Sequence, residues 1–229
     1  MFIYQIGAGR VGTALQRFFY KNGIVSQFVD DSITDKSGIL FLPISDSAVK
    51  PVAEKLLAAN RGLFVVHFSA ATTVESDRAF LLHPYSSVCE ESDFSKILFT
   101  LWGKKNETLE QLVAETGLQF VYCGEKVSIL YHTSAVLAGN FTQFFALKAI
   151  ELLQSEGLST DNAKKLIRQL VDSSANNVLE NGISGLTGPA ARGENEIIAK
   201  ESNELSKKDQ ELAKIYSLIS EEIKHIDIK

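Results

Sequence analysis

Gly7-Ala8-Gly9-Arg10-Val11-Gly12 has the spacing G-x-G-x-x-G, directly after an apolar run and directly before a helix-period segment. In a strand, turn and helix of that kind the chemistry is diphosphate recognition. Gly7 permits a tight turn, Gly9 has no side chain to hold a pyrophosphate off the main chain, and Gly12 lets helix and strand approach closely. Ala8, Arg10 and Val11 complete the loop, at a helix N-terminus whose N–H groups lack partners and carry partial positive charge. A nicotinamide dinucleotide, NAD or NADP, is the predicted cofactor.

Asp30, with Asp31 beside it, stands about 20 positions beyond the motif, at the end of a second apolar run. A carboxylate there accepts hydrogen bonds from the adenosine ribose and repels a 2′-phosphate, which favours NAD(H) over NADP(H). The alternative is that the two aspartates only open the turn before Ile39. Pro43-Ile44-Ser45-Asp46 closes the next apolar run, with Ser45 or Asp46 as helix cap. Loops at the carboxyl ends of parallel strands line the ligand crevice, so Pro43, Ile44 and Asp46 are expected along the cofactor. By the same logic Ser69 either contacts substrate near the nicotinamide or simply closes a turn.

The second half holds three further candidates. His132 is a candidate proton donor, since histidine is the residue type that changes charge near neutral pH. Asn140 lies roughly 12 Å further along the same predicted helix and about 80° around it, so the two line one cleft without gripping one atom. Arg192, the one cation in a glycine-rich loop over residues 182–193, can hold a carboxylate or phosphate in bidentate fashion, or is an ordinary surface arginine. His83-Pro84 is either part of the site or a structural turn.

These residues need a framework. The chain has 229 residues, 45% apolar and 22% charged, which excludes disordered and collagen-like classes. A net charge of −5 without basic blocks gives a nucleic-acid backbone no footprint. Cys89 and Cys123 lack partners at metal-ligand spacing and are expected to be buried thiols, with no metal site. No apolar run reaches the ~20 residues of a bilayer span and no leader precedes the first strand, so a cytoplasmic protein is expected.

To about residue 125, short apolar runs alternate with helix-period segments, the pattern of an α/β sheet covered on both faces. Strands are predicted over residues 2–6, 25–30, 39–42, 63–68, 79–82, 97–102 and 119–123, and helices over 10–21, 45–59 and 106–116. Only seven residues separate Asp31 from Ile39, too few for a crossover helix. The second crossover is therefore shortened. From residue 126 strand-like runs vanish, and helices are predicted over 126–155, 160–179, 195–204 and 207–225. The domains are read as 1–125, Rossmann-like, and 126–229, all-α. The first long helix is apolar on several sides around Leu137, Phe141, Phe144 and Phe145, which predicts a homodimer through the helical domain.

The glycine motif, the Pro-x-Ser-Asp turn, His67-Phe68-Ser69-Ala70-Ala71, Leu81-Leu82-His83-Pro84, the segment from Tyr131 to Phe141 and Leu186–Glu194 together resemble one group. It comprises Rossmann-like proteins with a helical C-terminal domain of unknown function, relatives of the β-hydroxyacid dehydrogenases and pyrroline-carboxylate reductases. The resemblance covers nearly the whole chain and implies an NAD(P)-dependent oxidoreductase whose second domain supplies substrate contacts and a dimer interface. This chain departs from its relatives in three places. Glu194 replaces their usual Asp, the normal second-strand crossover is missing, which bears on the adenine side of the resemblance, and Lys148 is followed four residues on by Leu152, not by the Asn of the better-known dehydrogenases. The expected reaction is hydride transfer between the nicotinamide and a carbonyl or imine of a small, anionic metabolite. His132 would move the proton, Asn140 and Ser69 position the substrate, and Arg192 hold its charge. The competing expectation is a non-catalytic dinucleotide sensor.

Overall fold

The computed structural model describes residues 2–226. Strand β1 (Ile3–Gln5) runs through the glycine turn into α1 (Arg10–Lys21), which buries Ala14, Leu15, Phe18 and Phe19. Then follow β2 (Gln27–Phe28), β3 (Ser37–Leu42), α2 (Asp46–Ala59), β4 (Gly62–His67), β5 (Ala79–Pro84), β6 (Leu98–Trp102), α3 (Glu107–Glu115) and β7 (Gln119–Gly124). The strands form one sheet in the order β2-β1-β3-β4-β5-β6-β7, parallel except where β6 runs against β5.

Side-chain alternation explains why the central strands read as unbroken apolar runs. In β3, Ile39 and Phe41 enter the core under α1 and α3, while Leu40 and Leu42 enter the core under α2. Full cover on both faces holds for the central strands only. Both residues of β2 are exposed, and in β7 exposed and half-buried positions alternate. Cys123 on that edge strand and Cys89 in a loop are exposed free thiols, which corrects the expectation that both are buried.

The connection from β2 to β3 is helix-free, and one buried side chain ties it down. Asn60, at the end of α2, donates to Ile33 O at 3.0 Å and Leu56 O at 2.8 Å, and accepts from the Lys36 amide at 2.8 Å. Asp35, at φ +54, donates its amide to Ala59 O. Asn60 thus replaces the packing that a crossover helix would supply.

Helix α4 (Ile129–Ala135), capped by Ser128, continues through a π-helical turn (Val136–Phe141) into α5 (Thr142–Ser155). Contacts divide the chain into Met1–Gln143 and Phe144–Lys229, inside this helical stretch and not at residue 125. The reason is chemical: Tyr131 bonds to His83 and Thr100, Ser134 to Tyr85, and Gln143 to Ser87, which fastens α4 and the π turn to the sheet.

The second unit contains α6 (Thr160–Asn181), α7 (Asn195–Ser206) and α8 (Gln210–Lys224). Among its described residues only Ala163, Ile198, Leu212, Ala213 and Ser220 are buried, while Leu147, Leu166, Leu170 and Leu179 are largely exposed. By length and composition the stretch Ile129–Ser155 is also long and apolar enough to cross a membrane.

His67, the last residue of β4, is buried, and burial pushes its imidazole down to about 4. It is neutral in the fold and takes up a proton on unfolding as pH falls below its ordinary 6.5, so acid favours the unfolded chain. We predict that this residue alone removes about 3 kcal/mol of stability as pH falls from above 6.5 to about 4. Urea unfolding at several pH values checks this, and His67→Gln should flatten that part of the slope.

Candidate active site

The glycine loop is shaped by two close approaches. A Cβ on Gly12 would overlap the Gly7 carbonyl oxygen, and a Cβ on Gly7, itself at φ +110, would overlap Pro43 O and crowd Ile44. Gln5, fully buried on β1, locks the turn by donating Nε2 to Gly7 O at 2.8 Å and to Gly12 O at 3.0 Å. Sequence reasoning missed Gln5, because a glutamine on an apolar strand gives no signal until the loop folds back over it.

Gly9 differs from both neighbours. A Cβ there meets nothing within 4 Å, no side chain caps α1, and no carboxylate lies in its first turn. The N-terminus of α1 therefore presents bare main chain beside the Pro43–Ile44 loop, the shape and polarity a pyrophosphate needs. These residues fit a dinucleotide.

Asp30 accepts from both the amide and the hydroxyl of Ser32, which holds its carboxyl below the usual range, and Asp31 pairs with Lys55 at 2.9 Å. Both aspartates therefore stabilise the short turn, and Asp30 keeps its charge at the end of β2. Ser69 is buried and donates to Thr72, whose hydroxyl donates to Asp46 O at 3.0 Å. That chain of bonds ties the loop after β4 to the start of α2.

His132 and Asn140 come together in a cavity of about 360 Å³, with His83, Tyr85, Ser87 and Gln143 around them. The π turn between the two residues widens the helix, so the angle expected of a plain α-helix does not apply. His132 Nδ1 is buried without a partner among the described residues. His83 belongs to the site and not only to a turn: its ring lies 6.3 Å from that of His132, and its Nδ1 is 2.8 Å from the Tyr131 hydroxyl. Burial, and next the neighbouring His132, push His83 down to about 4. Burial also pushes the Tyr131 phenol up, so it remains a donor at neutral pH. No Lys, Arg, Asp or Glu lines this cavity.

Arg192 lies in the second unit, where Nε and Nη2 donate to both oxygens of Glu194 at 2.7 and 2.8 Å. Among the described residues no group of three or more His, Cys, Asp or Glu could hold a metal ion.

A parallel sheet opening on a glycine turn, with two reversed strands beyond it and helices after it, defines a Rossmann-like α/β protein with a helical C-terminal part. The family model described as "Domain of unknown function (DUF2520)" matches residues 98–223, and the chain belongs to that family. No curated protein matches the sequence. Among solved structures, one of Bacteroides fragilis, provisionally described as an NADP oxidoreductase, is 21% identical, covers 98% of each chain and gives a TM-score of 0.78. An imine reductase of Myxococcus stipitatus in complex with NADP+ is 16% identical over 98% of this chain and 95% of that one, with a TM-score of 0.72. Pyrroline carboxylate reductase of Plasmodium falciparum with NADP bound is 12% identical over 98% of each chain, with a TM-score of 0.64. At these identities the likeness is one of fold.

The three glycines should separate in experiment. Gly12→Ala is expected to lower the melting temperature by several degrees, the size of shift that a cost of 1–2 kcal/mol gives in a domain of roughly this length. Gly9→Ala should leave melting unchanged and weaken dinucleotide binding at least ~10-fold, since its methyl would stand where the phosphates approach. Thermal melts paired with nicotinamide fluorescence titrations measure both.

Proposed function

We propose that the protein is an NAD(P)-dependent oxidoreductase acting on a carbonyl or imine of a small metabolite. The observation that carries this reading is the uncapped glycine cradle at the carboxyl edge of the sheet that also positions His83, beside His132 and Asn140. When bound, the dinucleotide supplies or accepts a hydride at C4 of its nicotinamide ring. The chain's own residues supply placement and a proton: His132 protonates the reduced group, and Asn140 orients it. Ser69 fixes the loop next to Asp46, and Arg192, in the second unit, can hold an anion by exchanging Glu194 for it. The Asp30 carboxylate supports NAD(H), while all three of the similar structures are named with NADP.

The fluorescence of NADH and NADPH, titrated with protein and then with keto acids and cyclic imines, tests this reading. Binding followed by oxidation is the expected result, and binding without oxidation of any probe points to a sensor. His132→Ala should cut turnover by on the order of 100-fold with dinucleotide affinity unchanged.

We further propose a cytoplasmic homodimer joined through the helical unit. Five buried residues are too few for a helical core, and the exposed Leu166 and Leu170 share one face of α6. A second copy of this chain suits the apolar stretch Ile129–Ser155 better than lipid, because Lys148 and Glu151 within it form an ion pair, and Lys148 pairs with Asp209 as well. Light scattering should give a dimer mass, and a Leu166→Glu, Leu170→Glu double variant should run as a monomer.

A further inference from the structure

The cavity beside the long helix contains two imidazoles, and the proposed reaction assigns a task to only one of them. His83 is the unassigned ring. Antiparallel pairing of β5 with β6 sets His83 opposite Thr100, and α4 lays Tyr131 over both. The Tyr131 hydroxyl lies between His83 Nδ1 and Thr100 Oγ1, within hydrogen-bond reach of each. Trp102 and Tyr85 pack edge-on or tilted against the Tyr131 ring, with centroids 5.0 and 5.5 Å away, and fix its position.

Proton placement follows from donor and acceptor strengths. A protonated phenol is a better donor than a threonine hydroxyl, and a neutral imidazole nitrogen is a better acceptor than a hydroxyl oxygen. Tyr131 therefore donates to His83 Nδ1 and accepts from Thr100. With Nδ1 occupied as an acceptor, the neutral ring carries its hydrogen on Nε2, which has no partner among the described residues.

We propose that His83 is a second catalytic residue, whose Nε2–H, fixed by Tyr131 and Thr100 as positioning residues, donates to the oxygen of a carbonyl substrate. This inference rests on the oxidoreductase reading and narrows its substrate class. The centroid separation of 6.3 Å is too long for a direct bond between the two rings and suits one oxygen lying ~2.8 Å from a nitrogen of each. A carbonyl oxygen has two lone pairs, one for the His83 bond and one for the proton from His132. An imine nitrogen has one and cannot serve both. In the reduction, hydride reaches the carbonyl carbon, the C=O π pair moves onto oxygen, and His132 supplies the proton that completes the hydroxyl. The carbonyl gains two electrons, the dihydronicotinamide loses two, and His83 keeps its proton throughout. The groups facing His83 are Tyr131 and His132 from the long helix, Tyr85 on its own chain segment, Thr100 on β6, and Asp46 of α2, whose charge opposes the fall in pKa.

The test uses the full chain labelled with ¹⁵N-histidine, whose four imidazoles resolve by long-range proton–nitrogen correlation, with His83 assigned through His83→Gln. His83 should show the Nε2–H tautomer and stay neutral until pH approaches about 4. Tyr131→Phe, which keeps the ring packing, should mix the tautomers and lower carbonyl reduction at least ~10-fold while NADPH affinity holds. In the NADPH-saturated protein, pyruvate or cyclohexanone should shift the His83 Nε2 signal more than 1-pyrroline does. An Nδ1–H tautomer in the unmodified protein overturns the proposal, and so does an Nε2 signal that neither carbonyl probe moves, or that the imine moves as far. Failure of the dinucleotide to bind overturns the oxidoreductase reading instead, and the tautomer result stands apart from it.

Discussion

The first turn of the molecule depends on a contact that admits no side chain: the Gly7 carbonyl lies where a β-carbon on Gly12 would be. Because helix and strand meet that closely, α1 starts immediately over the end of β1 and its first amides stay open. Gln5 holds the arrangement from beneath with two hydrogen bonds from one amide nitrogen. The same crowding places Pro43 and Ile44 against Gly7, which aligns the loop after β3 with the loop after β1. Two loops from adjacent parallel strands thus become one wall, and the bonds from Ser69 through Thr72 to Asp46 join the loop after β4 to it.

A second constraint governs the far side of the sheet. β5 carries His83 and Pro84 beyond the end of β4, and the reversed strand β6 supplies Thr100 across from His83. With no strand continuing the parallel run, α4 lies over this pair and brings in Tyr131 and His132. The electrostatics follow from burial. Low solvent access drives His67 and His83 toward neutrality, so these two rings act as oriented dipoles and not as charges. Asp46 is the carboxylate whose field reaches both rings.

How much of this was legible in the sequence depends on the range of the interaction. The glycine spacing is local and predicts the loop, and α1 begins and ends where the pattern places it, at Arg10 and Lys21. The apolar runs give all seven strands to within a few residues, because such a run is local to each strand, even in the edge strands β2 and β7 that are not covered on both faces. Gln5 and Asn60 left no mark, and Tyr131 appeared only as the start of a family-like segment without a role, since each acts on atoms brought near only by folding: Asn60 on Ile33 and Lys36, Tyr131 on His83 and Thr100. The π turn was equally hidden, for a widened turn has the composition of an ordinary helix. The two cysteines were misread for a related reason. Average burial of the residue type does not know that Cys123 lies on an edge strand.

The placement of Arg192 shows why residue type alone cannot assign a role. The sequence presents it as the one cation of a glycine-rich loop, free to hold an anion, yet two residues along the chain Glu194 satisfies its guanidinium in bidentate fashion. Solvent screens this pair, so it contributes little and exchanges readily for another carboxylate. The cavity around His83 and His132 lacks any such cation, and its polarity comes from imidazoles, hydroxyls and amides. A carboxylate inside it would lose water without gaining a Lys or Arg partner, whereas a carbonyl needs only the donors already there. The chemistry of the walls therefore favours a reacting group that is uncharged, whatever charge the rest of the substrate carries.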